Sequence, residues 1–407
     1  MRSVGIALVI LIVSYFTANV PFAFSFKEKQ YHLFENLVGD CKVSDQDFRS
    51  ATFVDVTYDK MLVDETEHYD DGICKVAITD RGRLLEFLKM MEGKDYKHIV
   101  LDLLFEKNES TAFDAELSAQ LLKMRDVIVC KRVDDSGTVV KIINDSLESI
   151  ARYCDYYEKK GSGGVQKYQY IQNGENSVAL ELYEKETGRR ITEHGYLYFD
   201  GWRLCHNADL FLIHKSYDEA KEEGVLAQYT MGADLLCDSC YDSRTLFEDL
   251  SVSQKIIFVG VLEGVEDRHS TYNNEQPGTY LHYLAYSKLM EEKHIIHWWY
   301  WIPLFIVYTL IGLWIMYWRE KKTTRLQRFL ENHSIIQLIS SFASYGFWLT
   351  VVAFVLFWAC DMPYDQIVPS VFFAGLSSFM KFIKLSSFMK FIKMSRLMKF
   401  IQIPKKQ

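Results

Sequence analysis

The sequence lacks the short motifs that mark most catalytic sites. It has no GxSxG nucleophile turn, no HExxH zinc helix, no Walker phosphate loop and no Ser, His and Asp at a recognisable spacing. Gly260 and Gly264 alone do not make a dinucleotide loop. The chain is therefore expected to be no enzyme and to need no cofactor. A second CxxC is missing too, so the CDSC at Cys237 and Cys240 has no partner for a four-thiolate site, and it opens no helix after a strand as a thioredoxin-like pair would. In an oxidising compartment these two cysteines are expected as a disulfide, with no metal bound.

Charge is absent from four stretches. Residues 3–26, 295–318 and 334–360 contain no Asp, Glu, Lys or Arg, and a shorter uncharged run covers 366–380. About 20 apolar residues cross a bilayer core of about 30 Å, so these runs predict spans. The loops between them alternate in sign. After Trp318 come Arg319, Lys321, Lys322, Arg325 and Arg328 against Glu320 and Glu331, whereas the next loop holds Asp361 and Asp365 and no base. Basic loops stay inside, so four spans with residues 27–294 outside are expected. Pro21 sits where a cleavage site around Ala23 wants a small residue, which predicts a retained anchor over 1–25. Three spans are expected within 295–383 and a basic tail over 384–407. That tail repeats LSSFMKFIK from Leu376 and again from Leu385. Nine residues turn a helix by about 900°, so successive units face opposite ways and predict loose electrostatic attachment to the inner leaflet.

The outer region is ordinary in composition and acidic, with 50 Asp and Glu against 32 Lys and Arg. Such a surface argues against nucleic acid as a partner and leaves divalent cations or basic ligands open. Its patterns alternate between strand and helix. KVAITDRGRLLEFLKMME passes from strand to helix at Thr79-Asp80, HIVLDLLF is a buried strand carrying Asp102, FDAELSAQLLKM is a helix, and DVIVCKRV is a strand. TFVDVTYDKMLVD reads as strand, ENSVALELYEKETG as a helix after the break at Gly161–Gly164, and GYLYFD and ADLFLIH as further strands. KIIFVG is a short apolar strand ended by Gly260, and Pro277-Gly278 turns the chain into the helix TYLHYLAYSKLMEE. The alternation predicts an α/β fold with a mostly parallel sheet over 26–294.

In that order, ITDRGRLLEFL, HIVLDLLF, FDAELSAQLL, then KIIFVGVLEGVEDRHST and PGTYLHYLAYSKL before an apolar run, the chain resembles the CHASE domain of the second type over roughly residues 26–360. The resemblance implies a bacterial extracytoplasmic sensory module between one N-terminal and three C-terminal spans, in the inner (plasma) membrane. It also implies site residues. Asp80, Arg81, Asp102, Asp114, Asp267 and His282 become ligand-binding candidates, and Gly260, Pro277 and Gly278 become structural turns. The residue after the histidine, typically Ala in the family, is Tyr283 here. Structural roles stand beside these: Asp80 as a helix cap, Asp102 bonded to loop amides, His282 packed among tyrosines.

Family members usually carry a kinase, cyclase or phosphodiesterase output. The inside segments expected here, of about 15 and 25 residues, are too short for a domain, which needs roughly 50. The expected function is sensory input that works through a separate signalling or envelope protein with an unknown small ligand. The alternative is a structural or accessory subunit of an envelope complex that binds no small ligand.

Overall fold

The computed structural model describes residues 2–17, 48–65, 74–133, 138–158, 165–210, 216–271, 275–317, 334–360 and 368–376. They fall into two compact units, Lys42–Glu193 with Tyr198–Ile296, and Met1–Cys41 with His194–Leu197 and His297–Gln407. The Gly161–Gly164 break, the loop charges at 319–331 and at Asp361 and Asp365, and the tail repeat from Leu385 lie outside the described residues.

The first unit is built on six strands: β1 (Ala51–Asp55), β2 (His98–Leu104), β3 (Val127–Lys131), β4 (Ala151–Tyr153), β5 (Gln228–Thr230) and β6 (Ile256–Gly260). They lie in the order β5-β1-β6-β2-β3-β4, and every pairing is parallel. Four helices matter here, α1 (Arg81–Met91), α2 (Asp114–Lys123), α3 (Val178–Thr187) and α4 (Gly278–Met290).

Because strand side chains alternate, each strand feeds two cores. Ala51, Phe53, Val100, Ile128, Ile256 and Phe258 pack with α3 and α4, while Val54, Ile99, Leu101, Val127, Val129, Ile257 and Val259 pack with α1 and α2. A parallel sheet covered on both faces explains why KIIFVG and VIVC read as continuous apolar runs. Removing one of the buried isoleucine, leucine or phenylalanine side chains among these to alanine costs about 2–5 kcal/mol.

Local signals set the helix ends. Asp80 caps α1 by accepting from the Gly82 and Arg83 amides at 2.9 and 3.1 Å. Ser177 caps α3, which stops at Gly188 in a left-handed conformation, φ 69°.

One strand is not where the sequence puts it. KVAIT reads as the first strand of the parallel series, yet Cys74–Thr79 pairs antiparallel with Lys60–Glu65 in a separate two-stranded ribbon. The reason is in its alternation. Ile78 and Val63 are buried whereas Leu62 is exposed, so only one face of the ribbon is covered. TFVDV supplies most of β1 in its stead, and all five residues of that strand, Ala51–Asp55, are buried.

The second unit is helical. Its described elements are Arg2–Phe16, Trp301–Tyr317, Ser334–Cys360 and the helix at 368–376. Ser14 and Tyr308 are hydrogen-bonded at 3.1 Å, Gly312 lies against Ser3, and Tyr308 and Tyr345 both pack on Phe373. Among the described residues one stretch, Trp298–Ile315, is long and apolar enough to cross a membrane, and Ser3–Phe16 and Ser344–Leu356 are shorter apolar helices. The expectation of four spans rests on the four uncharged runs of the sequence, and their orientation on the loop charges.

Candidate functional site

Asp102 sits where β2 falls out of step with β3. Leu101 pairs with Val129, but the next partner of β3, Cys130, is met by Leu104, so Asp102 and Leu103 are taken up in an irregularity. Such a bulge re-aims side chains, and this one lies at the carboxyl end of a parallel sheet, where open α/β sheets bind ligands.

Asp102 stands on the face covered by α4. Its Oδ2 accepts from the Thr279 hydroxyl at 2.8 Å, its Oδ1 accepts from the Cys130 thiol at 3.4 Å, and the same Oδ1 is 3.4 Å from His282 Nε2. Thr279 and His282 are three residues apart on α4 and so share one side of the helix. On its other side the imidazole meets Tyr168, whose Oη is 2.9 Å from Nδ1, and the Ala179 amide donates to that same oxygen at 3.1 Å. His282 is fully buried, Cys130 nearly so, and Asp102 keeps 12% of its side chain exposed.

Two glycines make the approach possible. A Cβ at Gly260 would collide with the Thr279 hydroxyl and come 3.2 Å from Asp102 Cβ. At Gly278 it would come 3.0 Å from Asp267 Oδ2 and 3.2 Å from His269 Nε2. Asp267 and His269 are themselves 3.3 Å apart, and they stand at the first turn of α4, where the helix dipole favours a carboxylate. Pro277 precedes that turn and ends a short strand, Glu275–Pro277, paired with Arg268–Ser270.

Charge in this cluster is poorly balanced. Burial pushes the Asp102 carboxyl up, but the His282 charge, with hydrogen bonds from His282, Thr279 and Cys130, brings it below its ordinary value. Burial pushes Asp267 up, and the Asp102 charge adds to that against the pull of His269. Burial also lifts Asp155. The Cys130 thiol is driven well up, by burial first and then by Cys154 and Asp102. Cys154 feels a downward pull from its hydrogen bond to Cys130, but burial and the charges of Asp102, Asp155 and Asp267 raise it on balance.

The other candidates gather on the opposite face. Arg81, 2% exposed, donates to Asp114 Oδ1 at 2.7 Å, lies 3.8 Å from Glu109 and stacks over Phe105 of the α1/α2 core. Thr111 fixes both oxygens of Asp114, through its amide at 2.9 Å and its hydroxyl at 2.6 Å. Asp80 is spent on its helix cap. Of the six ligand candidates, then, Asp102, Asp267 and His282 come together with Gly260 and Gly278, while Arg81 and Asp114 form an ion pair on the other face and Asp80 caps α1. Cys237 and Cys240 form a disulfide with Cα atoms 5.5 Å apart.

Sequence reasoning missed Cys130, Cys154, Thr279 and Tyr168. Thr279 had a signal in its i,i+3 spacing to His282, and Cys130 one in its position at the end of an apolar strand. Tyr168 had none, since it reaches His282 across 114 residues of sequence.

Comparison with curated proteins and with solved structures returns no match. A family model, described as CHASE2 domain, matches residues 9–317. That span covers the parallel sheet, both faces of its carboxyl edge and the apolar stretch beyond α4, and the chain belongs to the CHASE2 family of extracytoplasmic sensory domains.

Proposed function

We propose that the chain is a multi-pass membrane sensor that takes a small ligand at the Asp102–Asp267–His282 cluster and passes the signal through α4 to a separate signalling protein. The carrying observation is the cluster itself: two carboxylates, two imidazoles and a thiol brought to the carboxyl edge of the sheet by a bulge and two glycines, with Asp267 held against its own charge. Groups whose environments work against their charge mark functional sites more often than structural ones. A binding role fits better than a catalytic one, because the raised Cys130 thiol is protonated and a poor nucleophile.

α4 carries Thr279 and His282 at one end, and from its last residue, Met290, the chain runs on to the apolar stretch that begins at Trp298. Membrane residence is supported by the helices of the second unit, which turn Leu8, Val9, Ile12, Ile306, Leu310, Phe347 and Val355 outward. The four uncharged runs and their alternating loops support four spans with the sheet outside.

Cysteines introduced as Ser3→Cys and Gly312→Cys report on helix packing in the second unit, since position 312 faces Ser3. In native membranes, adding Asp102→Asn and Asp267→Asn to this pair should change the rate of cross-linking. An unchanged rate in a folded, inserted protein would favour the structural-subunit reading.

A further inference from the structure

We propose that Asp102, Cys130 and His282 form a binding site for a divalent cation of the zinc class. This rests on reading the carboxyl-edge cluster as a ligand site, and it names the ligand's chemistry.

The separation between Asp102 and His282 suits metal ligation better than hydrogen bonding. One donor atom from each of Asp102, Cys130 and His282 lies within 4.8 Å of the other two. Metal–ligand bonds of about 2.0–2.3 Å at tetrahedral angles give ligand–ligand edges of about 3.3–3.7 Å. Asp102 Oδ1 stands 3.4 Å from both Cys130 Sγ and His282 Nε2. For an imidazole and a carboxylate the same 3.4 Å is long, since charge-assisted N–H···O bonds close to about 2.7–2.9 Å.

The surroundings match a metal's supporting shell. Thr279 holds Asp102 Oδ2, which leaves Oδ1 to point at the thiol and the imidazole, and Tyr168 engages His282 Nδ1, which leaves Nε2 on the side of Asp102. Ligating histidines and carboxylates are oriented in this way by partners on their far atoms. Cys154, just after β4, donates its thiol to the Lys131 carbonyl at 3.3 Å and stands outside the three-residue group, which leaves a fourth position for water. A donor set of sulfur, nitrogen and a single carboxylate suits zinc-like ions and not magnesium or calcium, which take oxygen ligands. On binding, the Cys130 thiol proton and the proton on His282 Nε2 leave to solvent, and the dication takes their place against the carboxylate.

The test uses the full chain in detergent, purified without reductant, stripped with a chelator and titrated with cobalt(II). The expected result is one equivalent bound with a thiolate-to-cobalt charge-transfer absorption, displaced by zinc(II) and lost in Cys130→Ser. Should Cys130→Ser disturb folding, Thr279→Ala leaves every donor in place. It should weaken cobalt binding about 10–100-fold, and Thr279→Ser should restore it. A wild-type protein without the charge-transfer band, or a band that survives Cys130→Ser, would overturn the site. The spectrum is independent of the cross-linking rate. A missing band beside a changed rate refutes the metal alone, and a band beside an unchanged rate leaves a structural metal and refutes sensing.

Discussion

The two faces of the sheet's carboxyl edge hold the same kinds of side chain in opposite condition. On the α1/α2 face, Arg81 is paired at 2.7 Å with Asp114, itself held by Thr111, and is backed by Glu109 and Phe105. On the α4 face, Asp102 draws on a hydroxyl, a thiol and an imidazole, and Asp267 is paired with His269 at 3.3 Å against burial and the Asp102 charge. One face is closed by compensation, and on the other Asp267 is held against its own charge. A carboxylate's residue type and its place in the fold do not say which it is, but its partners do.

The largest expected effect lies on the compensated face. Arg81→Ala removes the guanidinium from Asp114 beside an apolar core, and breaking a buried pair from one side costs about 3–5 kcal/mol. Chemical unfolding of the full chain in detergent should show a loss at the lower end of that range, since Asp114 is partly exposed. A loss within measurement error would remove the ion pair from this account.

Gly260→Ala comes next. It drives a methyl group into Thr279 and Asp102, and overpacking of this kind costs about 1–3 kcal/mol. Thr279→Gly in the same chain should recover the part of the loss that comes from the hydroxyl collision. Asp80→Ala follows at about 1 kcal/mol, the value of one helix cap.

A smaller effect depends on pH. Burial pushes Glu181 up, but Arg152, bonded to it at 2.8 and 3.1 Å, brings it below the ordinary glutamate value. A carboxylate depressed by folding contributes stability above its unfolded value of about 4.3 and loses that contribution as pH falls through the folded one. Glu181→Gln should therefore be less stable than wild type at neutral pH and converge with it in acid. Parallel stability curves across that window would contradict the pairing.

Much of this was legible in the chain and the rest was not, for physical reasons. Continuous apolar runs such as KIIFVG and VIVC gave the doubly covered parallel strands, and Thr79-Asp80 gave a helix start, because both signals are local. KVAIT misled because a half-covered ribbon strand and the start of a βαβ unit share the same five residues. Asp102, Asp267 and His282 belong together, yet Asp80, Arg81 and Asp114 carry equally good sequence signals and sit on the other face. Which side of a sheet a polar residue serves depends on register, and here on a bulge at Asp102 that no local pattern announces. Tyr168 and Cys154 come from the region between β4 and α3, whose strands are short.

The most direct measurement is the unfolding free energy of Asp267→Asn at neutral pH beside that of wild type. If Asp267 is held for a ligand and not for the fold, removing its charge relieves the burial and the Asp102 repulsion that oppose it, and the variant should be as stable as wild type or slightly more so. A loss approaching that of Arg81→Ala would show that Asp267 is as structural as the ion pair on the other face, and the central claim would fail.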